Sequence, residues 1–263
     1  MNIENLSKIV SLFNIAAIRA GEKIMENYMS SKYEIKHDGS PLTIADLEAN
    51  KIITEILSSE IADIKIVSEE NEEVNDSEKY FLIDPLDGTK EFISKNGEFT
   101  VNIALIIDGI PVLGSVYLPY KKELFWNDEK NSYYKFNNCT KKIFTQSYKP
   151  NLTIAEVSRS HINKRTNDFI KILNPTTLNK TGSSIKLCNI AKGISHIYPR
   201  FGNVNYWDIA AGHSILRKAG GNIFDINGKK ILYKKKQSLI KSFIAFSENK
   251  LPKDLIQYAQ KLI

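Results

Sequence analysis

Phe81-Leu82-Ile83-Asp84-Pro85-Leu86-Asp87-Gly88-Thr89 is the stretch whose reading decides the fold. Phe81, Leu82 and Ile83 make a short apolar run of the kind that forms a buried strand, and it delivers Asp84 to the carboxyl end of that strand. Pro85 sets its own φ and lacks an N–H, so the ladder is expected to stop there. Gly88 tolerates backbone angles closed to other residues, and Thr89 can begin a helix as an N-cap hydroxyl. Such a turn holds two hard oxygen ligands, Asp84 and Asp87, over backbone N–H groups. That suits Mg²⁺ and a phosphate together, because hard cations take carboxylate and carbonyl oxygens while a helix N-terminus attracts anions. The bland alternative is an Asp-rich surface turn.

More acid sits at the ends of other apolar elements. Ile64 to Val67 reads as a short strand running into Ser68-Glu69-Glu70. Trp207-Asp208 precedes a run in which Ala211, Ile215, Leu216 and Ala219 keep helical spacing, so Asp208 falls in the first turn of a helix. An Asp there stabilises the helix dipole in any protein. Clustered carboxylates, however, repel one another and need a cation.

These blocks resemble those of the lithium-sensitive, Mg²⁺-dependent phosphatase superfamily that includes inositol monophosphatase and fructose bisphosphatase. The blocks are Ser68-Glu69-Glu70, Asp84 to Phe92 and Trp207 to Gly212. Within that superfamily, Lys90-Glu91-Phe92-Ile93 and the run Asn96 to Leu105 are similar to bacterial CysQ-type 3′(2′),5′-bisphosphate nucleotidases; inositol monophosphatases usually carry Thr-Asn-Phe in place of Lys90-Glu91-Phe92. Gly182-Ser183-Ser184-Ile185-Lys186 and Tyr198-Pro199-Arg200-Phe201-Gly202 extend the resemblance, which runs from Pro41 to Gly221. Asn71, where Asp is common, and Asn203-Val204 are small departures that remove no ligand.

The resemblance implies that Glu69, Asp84 and the Leu86 carbonyl hold one Mg²⁺, and Asp84, Asp87 and Asp208 a second. It also implies that Gly88 and Thr89 offer N–H groups to the phosphate, and that Thr89, its hydroxyl held by Asp46, orients the attacking water. Thr89, Asp46 and Glu69 are thereby the catalytic residues. Ser183, Lys186 and Arg200 would contact a nucleotide substrate, with surface solvation as the alternative for the two cations. The implied reaction converts adenosine 3′,5′-bisphosphate to AMP and phosphate, clearing a by-product of sulfate assimilation. An inositol or sugar phosphatase is the rival in the same class, and a non-catalytic metal- or nucleotide-binding regulator the rival in another.

The 263 residues, 42% of them hydrophobic, are enough for a large core or two packed subdomains. The net charge of +6 favours anionic partners, with Lys229-Lys230 and Lys234-Lys235-Lys236 as basic runs. No aromatic residues alternate with those bases, which argues against a nucleic-acid polymer and for a solvated face. Cys139 and Cys188 have no metal-ligand spacing and make no disulfide framework; Cys188 reads as core, as expected in a reducing cytoplasm. His37, His161, His196 and His213 likewise show no ligand spacing. Leu6, Val10, Phe13, Ala17, Ile24 and Tyr28 share one helical face interrupted by charges, so the N-terminus reads as an amphipathic helix on the core rather than a membrane span or targeting segment. Peripheral attachment to the cytoplasmic face of the inner membrane is the weaker reading, since that helix has no large basic face. The residues set no oligomeric state.

Thr43-Ile44-Ala45-Asp46 fits a capping box opening a second helix. Phe99 to Ile107 alternates, turns at Asp108-Gly109 and returns through Val112 to Tyr117 as a hairpin, continued by Glu123 to Trp126 and Ser132 to Phe136. The polar stretch Lys141 to Pro150 divides an N-terminal helix-pair and antiparallel-sheet subdomain, 1–145, from a C-terminal α/β subdomain, 146–263. In the latter, Ile223 to Ile226 and Lys230 to Tyr233 read as a hairpin about Asn227-Gly228. The fold class is α+β, and the resemblance implies a layered α-β-α-β-α sandwich of the sugar phosphatase type.

Overall fold

The computed structural model describes residues 3–29, 33–35, 41–71, 76–234 and 238–262; His37, Lys235 and Lys236 lie outside them. Period-two patterning organises the chain. In the Thr100–Ile107 strand, Val101, Ile103 and Leu105 face one core while Ala104 and Ile106 face another. In the Lys79–Asp87 strand, Phe81 and Ile83 join the first core, and Tyr80 and Leu82 the second. Strands apolar on both faces must be covered on both sides.

These strands belong to a seven-stranded sheet in the order Lys65–Ser68, Lys79–Asp87, Thr100–Ile107, Ile110–Leu118, Glu123–Asn127, Ser132–Phe136, Cys139–Ile143. The first two are parallel and every other neighbouring pair is antiparallel. Helices Ile3–Glu26 and Ile44–Glu60 cover one face, packing Phe13, Ala17, Ile53 and Leu57 with Phe81 and Ile103. Helices Ile185–Ala191 and Tyr206–Ala219 cover the other, packing Leu187, Ile215 and Leu216 with Leu82, Ala104 and Val116.

Beyond that central helix pair lies a five-stranded sheet ordered Thr177–Thr181, Ile154–Ser158, Ile197–Arg200, Phe243–Phe246, Asn222–Phe224. Tyr198 and Ala245 point into the central core, whereas Ile197, Ile244 and Phe246 join an outer core with helices Lys164–Leu173 and Lys253–Gln260. The layers are therefore helix pair, sheet, helix pair, sheet, helix pair, the expected α-β-α-β-α sandwich. The central core draws residues from both sides of residue 145. Among the described residues no helix is long and apolar enough to cross a membrane.

Several local expectations are revised. Pro85 does not end the ladder: the strand runs on to Asp87, with a bulge between Asp84 and Asp87 before pairing resumes at Thr100. A bulge takes a residue that lacks an N–H out of register at no loss to the ladder. Thr89 is the first residue of the Thr89–Ile93 helix, and the cap position belongs to Gly88. Lys230 to Tyr233 is not a strand: about Asn227-Gly228 the chain keeps a bridge, Phe224 to Lys230, with the Asp225 N–H donating to the Lys229 carbonyl and the Ile231 N–H to the Ile223 carbonyl, while Asn222–Phe224 pairs on its other side with Phe243–Phe246. The stretch from Lys141 opens inside the edge strand Cys139–Ile143, exposed at all positions but Ile143 and so carrying no apolar period to read.

Candidate active site

Register places the acids. The Lys65–Ser68 strand runs parallel to Lys79–Asp87 with Ser68 opposite Ile83, and the Glu69 N–H donates to the Ile83 carbonyl at 3.1 Å. Glu69 therefore leaves its strand beside Asp84. Asp84 itself is 1% exposed at the bulge, its Oδ1 accepting the Leu86 N–H at 3.1 Å. Asp208 arrives from the opposite side in the first turn of Tyr206–Ala219, where its Oδ2 accepts the Asn205 N–H at 3.0 Å. It caps its helix and faces the cluster as well. One oxygen from each of Glu69, Asp84 and Asp208 lies within 4.8 Å of the others. Asp87 stands outside that trio: its Oδ2 accepts the Ser184 N–H at 2.7 Å and Asn102 Nδ2 at 3.3 Å.

Crowding shows in the ionisation of these groups. Burial, followed by Glu69, Asp87 and Asp208, pushes the Asp84 carboxyl well above the usual range. Burial, followed by Asp87 and Glu69, does the same to Asp208. Asp87 is raised to about 6 by burial, against the opposing pull of Lys186 and of hydrogen bonds from Asn102 and Ser184. Carboxylates gathered this closely and partly desolvated favour a cation among them if they are to hold their charge at neutral pH. The donors present, carboxylate oxygens with the Leu86 carbonyl lining the same cleft, fit a hard divalent ion.

Above the acids, Thr89 Oγ1 lies 3.4 Å from Asp46 Oδ1 and 3.3 Å from the Leu86 carbonyl oxygen. Asp46 Oδ2 accepts the Thr43 N–H at 2.7 Å and the Thr43 hydroxyl at 2.6 Å, completing the capping box. Burial raises the Asp46 carboxyl to about 7, opposed by those Thr43 hydrogen bonds. Gly88 takes φ 94°, and a Cβ there would stand 3.1 Å from the Glu98 carbonyl oxygen, so glycine lets the turn close over the acids.

The cleft, about 320 Å³, is lined by Glu69, Asp84, Asp87 and Asp208 and also by Lys186 and Arg200. Solvation does not describe Lys186: it is 4% exposed, its Nζ donating to the carbonyls of Thr181 and Ser183 and lying 5.1 Å from the Tyr198 ring centroid. Arg200 is half-buried at the end of Ile197–Arg200, its Nη2 donating to the Asn203 carbonyl at 3.1 Å. Ser183 lines the cleft too, and its buried Oγ has no protein partner among the described residues.

Ser184, beside the expected contact Ser183, holds the acids in place with no mark of that role in its sequence neighbours. The Ser184 Oγ donates to the Asp208 carbonyl at 2.6 Å and accepts from Asn102 Nδ2 at 2.9 Å, so one residue ties Asp87, Asp208 and the sheet together. Asn102 carried a signal, a carboxamide between Val101 and Ile103 in an apolar strand. Of the histidines, His161 lines the cleft with its Nε2 3.4 Å from Lys90 Nζ, whereas His213 is buried between Tyr233 and Asn222.

The pattern of an inositol monophosphatase family model matches residues 5–263. A 3′(2′),5′-bisphosphate nucleotidase CysQ of Salmonella typhimurium is 41% identical over 231 residues, 85% of this chain and 93% of that protein. The protein of the same name in Buchnera aphidicola is 41% identical over 242 residues, 87% of each chain. The crystal structure of CysQ from Bacteroides thetaiotaomicron, itself described as a bacterial member of the inositol monophosphatase family, matches with TM-score 0.81 at 34% identity over 92% of this chain and 98% of its own. A five-layered sandwich, acids at its strand and helix ends, and matches spanning nearly the whole length lead to one conclusion: the chain belongs to the inositol monophosphatase family.

Proposed function

We infer that the chain is a metal-dependent phosphatase, a 3′(2′),5′-bisphosphate nucleotidase that hydrolyses the 3′-phosphate of adenosine 3′,5′-bisphosphate to give AMP and phosphate. The observation that carries this reading is the joining, in one cleft, of an acidic trio with the buried Lys186 and the half-buried Arg200. A second phosphate would meet Lys186 and Arg200, whereas a monophosphate held at the acids would gain less from them. The relatives described as CysQ nucleotidases, about two-fifths identical over most of the chain, support the same choice.

In this reading Glu69, Asp84, the Leu86 carbonyl, Asp87 and Asp208 hold Mg²⁺. The bound cation supplies charge neutralisation on the phosphoryl oxygens and on the leaving oxygen. The chain does the rest. Gly88 and Thr89 present N–H groups to the phosphate. The Thr89 hydroxyl, held against Asp46, orients the attacking water, and Asp46, its carboxyl raised to about 7, can share a proton with that hydroxyl near neutral pH. Ser183, Lys186 and Arg200 grip the second phosphate, Arg200 by two parallel bonds and Lys186 as a point charge. The reading places the enzyme in a reducing cytoplasm, which suits the unpaired Cys139 and Cys188, with any membrane contact peripheral and through the basic surface.

Phosphate release from adenosine 3′,5′-bisphosphate, inositol 1-phosphate and AMP, with Mg²⁺ and with chelator, tests it. Preference for the bisphosphate and dependence on Mg²⁺ are expected. Preference for inositol 1-phosphate would move the chain to the monophosphatase branch, and no release from any of them would make it a binding protein.

A further inference from the structure

The turn Gly182-Ser183-Ser184 joins the edge strand Thr177–Thr181 to the helix Ile185–Ala191, and through Ser184 it touches both Asp87 and Asp208. Its backbone does not rest there unaided. Ser183 has φ 45°, a left-handed conformation that a residue with a Cβ keeps only where its surroundings hold it.

An ion pair supplies that hold. Arg159 Nε and Nη2 donate to Glu98 Oε2 and Oε1, each at 2.7 Å, as two parallel bonds. The same Nη2 donates to the Lys180 carbonyl at 2.6 Å, and the Arg159 backbone N–H to the Thr181 carbonyl at 3.2 Å. Glu98 Oε2 in turn accepts the Gly182 N–H at 2.7 Å. Gly182 permits this approach, since a Cβ there would stand 2.6 Å from the Glu98 carbonyl oxygen. Glu98 follows the Thr89–Ile93 helix and Arg159 follows the Ile154–Ser158 strand, so the pair straps the turn between the two sheets. Neither residue lines the cleft.

An isolated surface ion pair contributes little to stability. This one is bidentate, its glutamate side chain is 18% exposed, and its remaining side-chain bonds go to the Lys180 carbonyl and the Gly182 N–H, the backbone that leads into the strained serine. We propose that Glu98 and Arg159 are positioning residues that fix the Gly182–Ser184 turn, hold the Ser184 N–H on Asp87 and so set the cation affinity of the site without touching cation or substrate. The inference rests on the metal-dependent reading above. Partners that orient a metal ligand commonly change affinity by about 10- to 100-fold when removed.

The test is Mg²⁺ binding to the metal-stripped full chain by titration calorimetry without substrate, beside the Mg²⁺ concentration for half-maximal activity. Arg159→Ala and Glu98→Ala should each weaken binding about tenfold and raise that concentration to match, with kcat at saturating Mg²⁺ within about threefold of the unsubstituted chain. Arg159→Lys, a point charge without the fork, should fall between. Adding Arg159→Ala to Asp87→Asn should weaken binding no further, because the ligand through which the pair acts is already altered. Should an alanine variant fail to fold, Arg159→Lys and Glu98→Gln carry the same comparison. Lowered melting temperature with Mg²⁺ affinity unchanged within twofold would make the pair merely structural and overturn the proposal. Binding to the variants equal to that of a Mg²⁺-binding parent defeats this inference alone, whereas a parent that binds no Mg²⁺ defeats the metal reading and this one with it.

Discussion

Thr89 Oγ1 stands 3.4 Å from Asp46 Oδ1 across 43 residues of chain, while the other oxygen of the same carboxylate caps the Ile44–Glu60 helix through Thr43. A carboxylate accepts several hydrogen bonds at once, so the two duties do not compete. The Thr89 contact is long for an O–H···O bond, as catalytic contacts often are before substrate tightens the site.

Thr89→Ala should lower kcat by about a hundredfold or more and change KM by much less, since orienting water matters in the transition state and little in substrate binding. Asp46→Asn should follow it in turnover and also lose part of the cap, about 1 kcal/mol or roughly 2–4 °C in melting temperature. Steady-state kinetics and calorimetry on both variants check this. An Asp46→Asn chain that melts lower yet turns over normally would leave capping as the sole role of Asp46.

Asp87→Asn and Asp208→Asn should each abolish most turnover and leave the metal-free fold at least as stable as before. Burial raises both carboxyls, and the charge on each raises Asp84 in turn, so a neutral amide should relieve that cost while removing an anionic ligand of the proposed metal site. Melting curves in chelator, compared with activity at low Mg²⁺, read the two effects separately. Near-normal activity would remove these residues from the metal site.

The stability of the metal-free chain carries a pH signature. Asp46 and Asp87 rise from an ordinary 3.8 to about 7 and about 6, so the folded state holds their protons more tightly than the unfolded one. Their contribution is present in full below pH 3.8 and is lost as pH rises through 6 and 7. Mg²⁺ held among these acids, as proposed, would favour their ionised forms and offset that loss. The rise in melting temperature on adding Mg²⁺ should therefore be larger at pH 8 than at pH 5, about the two sides of that window. Equal rises at both would show that the cation binds elsewhere.

Lys186 and Arg200 in the cleft predict selectivity. A hydrogen bond to a charged group contributes roughly 1.5–3 kcal/mol, about one to two decades in binding. Adenosine 3′,5′-bisphosphate should exceed AMP and inositol 1-phosphate by at least that margin in kcat/KM, and Arg200→Ala should narrow the gap by weakening the bisphosphate. An unchanged ratio in Arg200→Ala would remove Arg200 from recognition.

Lithium should inhibit at concentrations where sodium at matched ionic strength does not, because a small monovalent ion seated among these acids brings too little charge to neutralise the phosphoryl group. Equal responses of the initial rate to the two salts would argue against that seat.

Asp84, Asp87, Gly88 and Thr89 were legible because a strand, a turn and a helix start are written in adjacent residues, and the alternation from Phe99 to Ile107 marked a strand, whose cover on both faces only the packed layers show. The same local logic reached the Thr43–Asp46 box and the first-turn Asp208. It misjudged Pro85, because only the partner strand shows that the bulge lets pairing resume at Thr100. It gave no sign of Ser184, or of Glu98 with Arg159, whose neighbours in sequence say nothing of the groups they meet. Local backbone preference and hydrophobic period depend on residues a few positions apart, so the chain alone determined its elements and the acids at their ends. Which acids share a cleft, and what holds each oxygen in place, depends on sheet register and on helices packed between two sheets. Only the tertiary structure decided that, because burial and long-range hydrogen bonds exist only once those layers close.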